Sequence, residues 1–175
     1  PRQLPAADGM DGVFELRHPD DAARLRAAAA NASSAIVIGG GYIGLEVAAT
    51  LAKSGKEVTV IEAAPRLLAR VASPAISAFF ADLHADAGTT VITDARVEDI
   101  AAEHGGFSHL TLSDCMQLSA DMLVVGIGVT PETALAEAAG IETGNGILVD
   151  VGMQTSMAGI YAIGDGALQR DSAYG

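Results

Sequence analysis

Three glycines and one carboxylate carry the chemistry most plainly written in this chain. Gly39, Gly41 and Gly44 stand at the spacing G-x-G-x-x-G, and Glu62 lies 18 residues beyond the last of them. Glycines so spaced suit a pyrophosphate. The first permits a tight turn, the second lets a phosphate approach the backbone, and the third lets a helix pack closely on its strand. The free N–H groups and positive dipole end of the following helix then face the phosphates. A carboxylate placed as Glu62 is accepts hydrogen bonds from adenosine ribose hydroxyls. It favours the free 2′-hydroxyl of NAD and repels the 2′-phosphate of NADP. Ala63 and Ala64 beside it supply no cation to a phosphate, whereas Arg66 and Arg70 are near enough in sequence to keep NADP open.

Such a turn is useful only if a strand delivers it and a helix leaves it. Ile36, Val37 and Ile38 are β-branched and end in glycine, which predicts a short buried strand. After the turn Gly39-Gly40-Gly41-Tyr42-Ile43-Gly44, the residues Ile43, Val47 and Leu51 recur at intervals of four with Ala48 and Ala52 beside them, predicting a helix with that face inward. Glu57 to Ile61 reads as the second strand, with Glu62 at its C-terminal end. Ser73 is placed to cap a helix starting at Pro74, in which Ile76, Phe79, Phe80, Leu83 and Ala87 keep helical spacing. Thr89 to Thr93 is then the third strand of a βαβαβ unit.

The pattern changes after that unit. Val97 to Ala101, Phe107 to Leu112 and Gln117 to Leu118 are short strand candidates joined by turns, which predicts an antiparallel meander where a crossover helix would otherwise stand. Asp121 to Gly126 is a continuous apolar run, as a strand buried on both faces requires. It opens into the loop Gly126-Ile127-Gly128-Val129-Thr130-Pro131, at the sheet edge where doubly wound folds bind ligands. Ahead of the glycine turn, Pro1 to Leu16 reads as loop with an extended piece near Val13, and His18-Pro19-Asp20-Asp21 starts an alanine-rich helix. Glu132 to Ala139 predicts a short helix, Ile147 to Val149 a strand, and Gly159 to Gly166 another apolar strand broken by glycine and Asp165. The predicted class is α/β: a Rossmann-like parallel sheet with a three-stranded antiparallel meander as crossover.

Composition narrows the function classes. Half of the 175 residues are hydrophobic and 18% are charged, as in a globular chain. A net charge of -12 argues against nucleic acid and anionic membrane as partners. No apolar run approaches the roughly 18 residues that cross a bilayer, so the expectation is a soluble, cytoplasmic protein. The single cysteine, Cys115, leaves no C-x-x-C pair, and its expected place is a strand end. His18, His84, His104 and His109 lack ligand spacing and are expected at the surface or at caps, with no metal site.

Four stretches in this order resemble the FAD-dependent pyridine nucleotide oxidoreductases, and among them the ferredoxin or rubredoxin reductases that serve oxygenases. They are PRQLP at Pro1 to Pro5, GGGYIGLEVA at Gly39 to Ala48, VGIGVTPET at Val125 to Thr133 and TSMAGIYAIGD at Thr155 to Asp165. Gln154 and Ala158 depart from the family, where a basic residue and a proline are common. The resemblance implies that Gly39, Gly40, Gly41, Tyr42, Ile43, Gly44 and Glu62 hold NAD. It places Glu46 near the nicotinamide, opposite a loop containing Gly126, Gly128 and Pro131. The other reading of Glu46 is a first-turn acid favoured by the helix dipole. Asp165 would hydrogen-bond the ribityl chain of FAD, with the flavin phosphates near a helix that follows; without the family, Gly164-Asp165-Gly166 reads as a plain turn.

The resemblance further implies a piece of a longer flavoprotein, divided as residues 1–17 connecting from an FAD domain, 18–131 binding NAD, and 132–175 returning to the FAD domain. The implied parent passes electrons from NADH through FAD to a ferredoxin or rubredoxin, and no side chain here is expected to act as nucleophile or acid. So acidic a chain suits an acidic ferredoxin poorly, which places the expected docking face elsewhere in the parent. Two other readings stay open: the NAD domain of an NADH-dependent nitrite or CoA-disulfide reductase, and a non-catalytic nucleotide-binding module. Nothing in these residues specifies an oligomeric state.

Overall fold

The computed structural model describes Arg2, residues 4–7 and residues 9–169. Pro1 and Gln3 of the PRQLP stretch, and any helix beyond residue 169, lie outside the described residues. The chain divides into two compact units, Pro1–Gly128 and Val129–Gly175.

The first unit begins with β1 (Val13–Glu15) and α1 (Pro19–Asn31). The N–H of His18 donates to the Asp21 carboxylate at 2.8 Å, so the first turn of α1 is held from within. β2 (Ser34–Ile38), α2 (Tyr42–Lys53), β3 (Glu57–Ile61), α3 (Pro74–Asp86) and β4 (Thr90–Ile92) form the expected βαβαβ run. β5 (Val97–Glu103), β6 (Gly106–Leu112) and β7 (Gln117–Ser119) form the antiparallel meander, and β8 (Met122–Val125) follows it. β8 pairs in parallel with β2, so the main sheet runs β1-β8-β2-β3-β4, with every pairing parallel.

Period-2 alternation on the central strands explains why the meander is there. Ala35, Val37, Val58, Val60, Met122 and Val124 bury against Leu45, Val47, Ala48 and Leu51 of α2. Ile36, Ile38, Ile61, Leu123 and Val125 point to the other face, where Ile100, Leu110 and Leu112 of the meander cover them. A parallel sheet needs both faces covered, and here a small sheet does on one side what helices do on the other. Full burial of side chains such as Leu45 and Leu51 contributes about 1.5–3 kcal/mol each.

Two helices turn differently from their sequence pattern. In α2 the buried residues are Gly44, Leu45, Val47, Ala48 and Leu51, while Ile43 is 42% exposed, because the close seat of Gly44 on the strand rotates Leu45 inward in its place. In α3 the buried side chains are Ser77 and His84, and Ile76, Phe79 and Leu83 face outward. His84 is therefore a core residue, contrary to the expected surface position. Cys115 is exposed with φ +67, in the turn between β6 and β7 and not at a strand end.

The second unit holds α4 (Ala134–Ala138), β9 (Thr143–Gly144), β10 (Gly146–Val149) and β11 (Ala167–Gln169), with the sheet order β11-β10-β9. The expected strand over Gly159 to Gly166 does not form. Its backbone is engaged in local turns, with Thr155 N–H donating to Ile160 O at 2.9 Å and Ala162 N–H to Met153 O at 3.1 Å. One isolated bridge joins Gln154 to Tyr161, and a 3-10 turn occupies Gly164–Gly166.

Candidate functional site

The C-terminal ends of β2, β3 and β8 converge on the glycine turn. Strand order reverses between β2 and β8, the switch point at which open α/β sheets leave a crevice. Gly39 adopts φ +109, which lets the chain leave β2 sharply, and its N–H donates to Ile61 O at 2.8 Å. A Cβ on Gly44 would collide with the Gly39 carbonyl, so only glycine lets α2 start this close to its strand. A Cβ on Gly126 would stand 3.5 Å from Gly44 Cα, which brings the β8 loop onto the same turn.

Gly41 differs from its neighbours in facing open space. Among the described residues no atom lies within 4 Å of where its Cβ would be, and it is the N-cap of α2. Glycine has no side chain with which to cap the helix, so the N–H groups of the first turn are left to an external acceptor. A 12-residue helix with this end exposed and glycine at its mouth suits a phosphate group.

Glu62 completes the arrangement. Its Oε2 accepts the Gly40 N–H at 2.6 Å and its Oε1 accepts the Ala64 N–H at 2.7 Å. Its backbone is fixed as well, its N–H donating to Ile92 O at 2.8 Å and its carbonyl accepting the Ala95 N–H at 3.1 Å. The carboxylate therefore stands beside the glycine turn in one orientation, with lone pairs left for hydroxyl donors. Glycines that admit a diphosphate and a fixed carboxylate one strand away form a donor and acceptor set that fits an adenine dinucleotide.

The loop after Glu62 is fastened to the same turn. Leu68 N–H donates to Gly40 O at 2.9 Å, and Leu67 is so close to Gly40 that a Cβ there would lie 2.5 Å from its Cδ2. Leu68 sits at φ 53, a conformation that costs a bulky residue on the order of 1–2 kcal/mol and must be held by its surroundings. Arg66 and Arg70 separate here. The Arg66 guanidinium is bound to Ala69 O, Ala72 O and Ser77 Oγ, whereas Arg70 is exposed and its Nη2 lies 3.5 Å from where a Cβ of Gly128 would be. Sequence spacing alone marked both as cations near the site; which one is engaged depends on the fold of the loop.

Among the expected site residues, Gly39, Gly40, Gly41, Gly44, Glu62 and Gly126 meet around this crevice, and Gly128 lies on the loop that leaves β8. Tyr42 and Ile43 open α2 with 58% and 42% exposure. Glu46 is exposed and falls past the first turn of α2, which holds no acid, so the first-turn reading of it fails. Pro131 and Asp165 belong to the second unit, where Asp165 is exposed within the Gly164–Gly166 turn. A cavity of about 300 Å³ elsewhere in the first unit, lined by Leu4, Val13, Glu15, Arg24 and Val125 among others, includes none of the turn glycines.

Comparison with known proteins agrees with this architecture. The family model described as pyridine nucleotide-disulphide oxidoreductase matches residues 1–174. The chain is 42% identical to a rubredoxin-NAD(+) reductase of Pseudomonas putida over 95% of its own length and 43% of that protein's. It is 40% identical to a ferredoxin–NAD(P)(+) reductase of a Sphingomonas species, covering 93% of this chain and 39% of that one. The crystal structure of the ferredoxin reductase for the CYP199A2 system from Rhodopseudomonas palustris superimposes with a TM-score of 0.92 at 42% identity, covering 99% of this chain and 43% of the other. The chain thus spans about two-fifths of the length of these relatives. By the extent of these matches, the chain belongs to the pyridine nucleotide-disulphide oxidoreductase family.

Proposed function

We propose that this chain is the NAD(H)-binding part of a flavoprotein reductase that passes electrons from NADH through FAD to a ferredoxin or rubredoxin, for use by an oxygenase. In this reading residues 1–17 connect from an FAD domain, 18–131 bind NAD, and 132–175 return toward the FAD domain. The observation that carries it is Glu62, whose carboxylate is fixed beside the Gly40 amide while the space in front of Gly41 stays open. The likeness to relatives named as rubredoxin and ferredoxin reductases supports the choice of acceptor.

Each residue then has a task. Gly39, Gly41 and Gly44, with the first-turn amides of α2, seat the pyrophosphate, and Glu62 takes the adenosine ribose. Glu46 and the loop carrying Gly126, Gly128 and Pro131 flank the nicotinamide, and Asp165 binds the ribityl chain of FAD. FAD, when bound, supplies the step from a hydride to single electrons. The protein's part is to hold the rings in reacting geometry and keep water away, so no acid, base or nucleophile is assigned.

The test is titration of the 175-residue chain with NADH and NADPH, followed by nicotinamide fluorescence. Saturable binding of NADH, tighter than NADPH and weakened in Glu62→Ala, is expected. Preference for NADPH would refute the ribose assignment. The chain alone is also expected to lose FAD on gel filtration and to leave NADH unoxidised; retention of FAD with NADH oxidation would overturn the division into partial domains.

A further inference from the structure

Arg66 occupies an unusual position for a cation near a nucleotide site, because its half-buried guanidinium is bound to three acceptors of the protein itself. Nη1 donates to Ala72 O at 2.8 Å and to Ser77 Oγ at 2.7 Å, and Nη2 donates to Ala69 O at 2.8 Å. Ser77 is 3% exposed and donates in turn to Leu67 O at 2.6 Å. One planar fork thus joins three points of the loop 66–72 and the first turns of α3.

The same loop touches the candidate site through the next two residues. Leu67 packs on Gly40, and Leu68 donates to the Gly40 carbonyl, whose own amide is held by Glu62. The chain of contacts therefore runs Ser77, Arg66, Leu67 and Leu68, Gly40, Glu62. With Leu68 in a left-handed conformation, the loop does not hold this shape unaided, and Arg66 supplies the largest set of side-chain bonds within it.

We propose that Arg66 is a positioning residue for nucleotide selection: by fixing the 66–72 loop against Gly40 it keeps the Glu62 carboxylate in the orientation that accepts a 2′-hydroxyl and rejects a 2′-phosphate. Its three acceptors also direct both terminal nitrogens of the guanidinium to the protein, so the carboxylate sets the preference. The inference rests on the reading of Glu62 as the ribose acceptor. It adds that discrimination depends on a residue that does not touch the ligand.

The experiment compares NADH and NADPH dissociation constants for the 175-residue chain and for Arg66→Ala, Arg66→Lys and Ser77→Ala, with Glu62→Gln as control. Loss of the clamp is expected to weaken NADH about five- to tenfold, the scale of one ordinary net hydrogen bond. NADPH should change less, so that the ratio of the two constants contracts. Lysine should not rescue, since a point charge cannot span the three acceptors. Ser77→Ala removes one acceptor of Arg66 together with the Ser77 bond to Leu67 O, leaves the other two acceptors in place, and should contract the ratio about twofold to threefold in a chain that still folds.

Three results would overturn the proposal: equal weakening of both nucleotides, which marks a merely structural role; wild-type constants in Arg66→Ala and Ser77→Ala; or full rescue by lysine with a loss that vanishes at high salt, which marks a direct phosphate contact. If the wild-type chain binds neither nucleotide, or Glu62→Gln leaves both constants unchanged, the failure lies in the reading of Glu62 itself.

Discussion

The carboxylate of Glu62 and the amide of Gly40 meet at 2.6 Å, across 22 residues of sequence. This bond links the end of β3 to the turn after β2, the two places a dinucleotide has to bridge. Because a second amide, that of Ala64, holds the other oxygen at 2.7 Å, the group is oriented before any ligand arrives. Replacing it with alanine removes both acceptors together with the proposed ribose contact. We expect Glu62→Ala to weaken NADH by about tenfold or more, on the scale of 1.5–3 kcal/mol for hydrogen bonds to a charged group. NADPH should gain relative to NADH. An unchanged ratio in the fluorescence titration would show that Glu62 serves the loop alone.

Gly44 and Gly41 are predicted to fail in opposite ways. Alanine at Gly44 drives a Cβ into the Gly39 carbonyl, so α2 must shift from β2, at a cost of about 3 kcal/mol or more, the upper end of overpacking. Alanine at Gly41 meets no atom within 4 Å and has an extended backbone to occupy, so only about 0.5–1 kcal/mol of N-cap preference is lost. Its methyl group nevertheless stands where the pyrophosphate would approach. Urea unfolding should therefore single out Gly44→Ala, while NADH titration of folded protein should single out Gly41→Ala. Equal stability of the two variants would remove the steric argument.

The difference between what the sequence disclosed and what it hid follows the range of the interactions. Ile36 to Ile38 and Met122 to Val125 were legible as strands because burial on both faces leaves a continuous apolar run, and Glu57 to Ile61 because Val58, Val60 and Ile61 make a short β-branched segment. The meander was legible from turns at His104-Gly105-Gly106 and Ser113-Asp114, although not its task of covering Ile36, Ile61 and Leu123. The phase of α3 was hidden. Its apolar residues surround most of the helix, so their spacing cannot say which side faces inward. That choice is made by Ser77, through its bonds to Arg66 and Leu67, and by burial of His84. At the site, the glycines and Glu62 could be read from spacing alone. The engagement of Arg66 with three acceptors could not, because nothing local predicts the path of residues 66–72.

At the opposite end of the sheet, Asp121 joins the starts of β2 and β8. Its Oδ2 accepts the Ser33 N–H at 2.7 Å, the Ser34 N–H at 2.9 Å and the Ser34 hydroxyl at 3.1 Å. The backbone bonds from Ser33 and then Ser34 hold its carboxyl below the ordinary value of 3.8. A depressed acid contributes stability that is present above 3.8 and lost as pH falls through the lower folded value. The group is exposed, which limits its worth to about 1 kcal/mol despite three bonds. Asp121→Ala should lower the urea midpoint by a constant amount between about pH 5 and 7, and the gap should close in stronger acid. A gap that persists once both chains are fully protonated would point to packing as its source.

His84 gives the opposite end of the pH scale its own test. The ring is 5% exposed, its Nδ1 has no hydrogen-bond partner among the described residues, and Thr89 Oγ1 nearby in sequence is buried and unpartnered among them as well. Burial disfavours the imidazolium and pushes the pKa below the ordinary 6.5. The unfolded chain then takes up a proton near pH 6.5 while the folded chain does not, so stability is full above that pH and declines as pH falls from 6.5 to the folded value. Phenylalanine fills much the same volume without a proton to gain or a polar atom to desolvate. His84→Phe should therefore match or exceed the wild type at about pH 7 and lose less stability on acidification to about pH 5, where the difference between the two is largest. The other histidines are shared by both proteins, so the difference in urea midpoint isolates His84. Parallel profiles across that window would mean that the folded chain admits the proton at no cost, and that His84 is not sealed in the core.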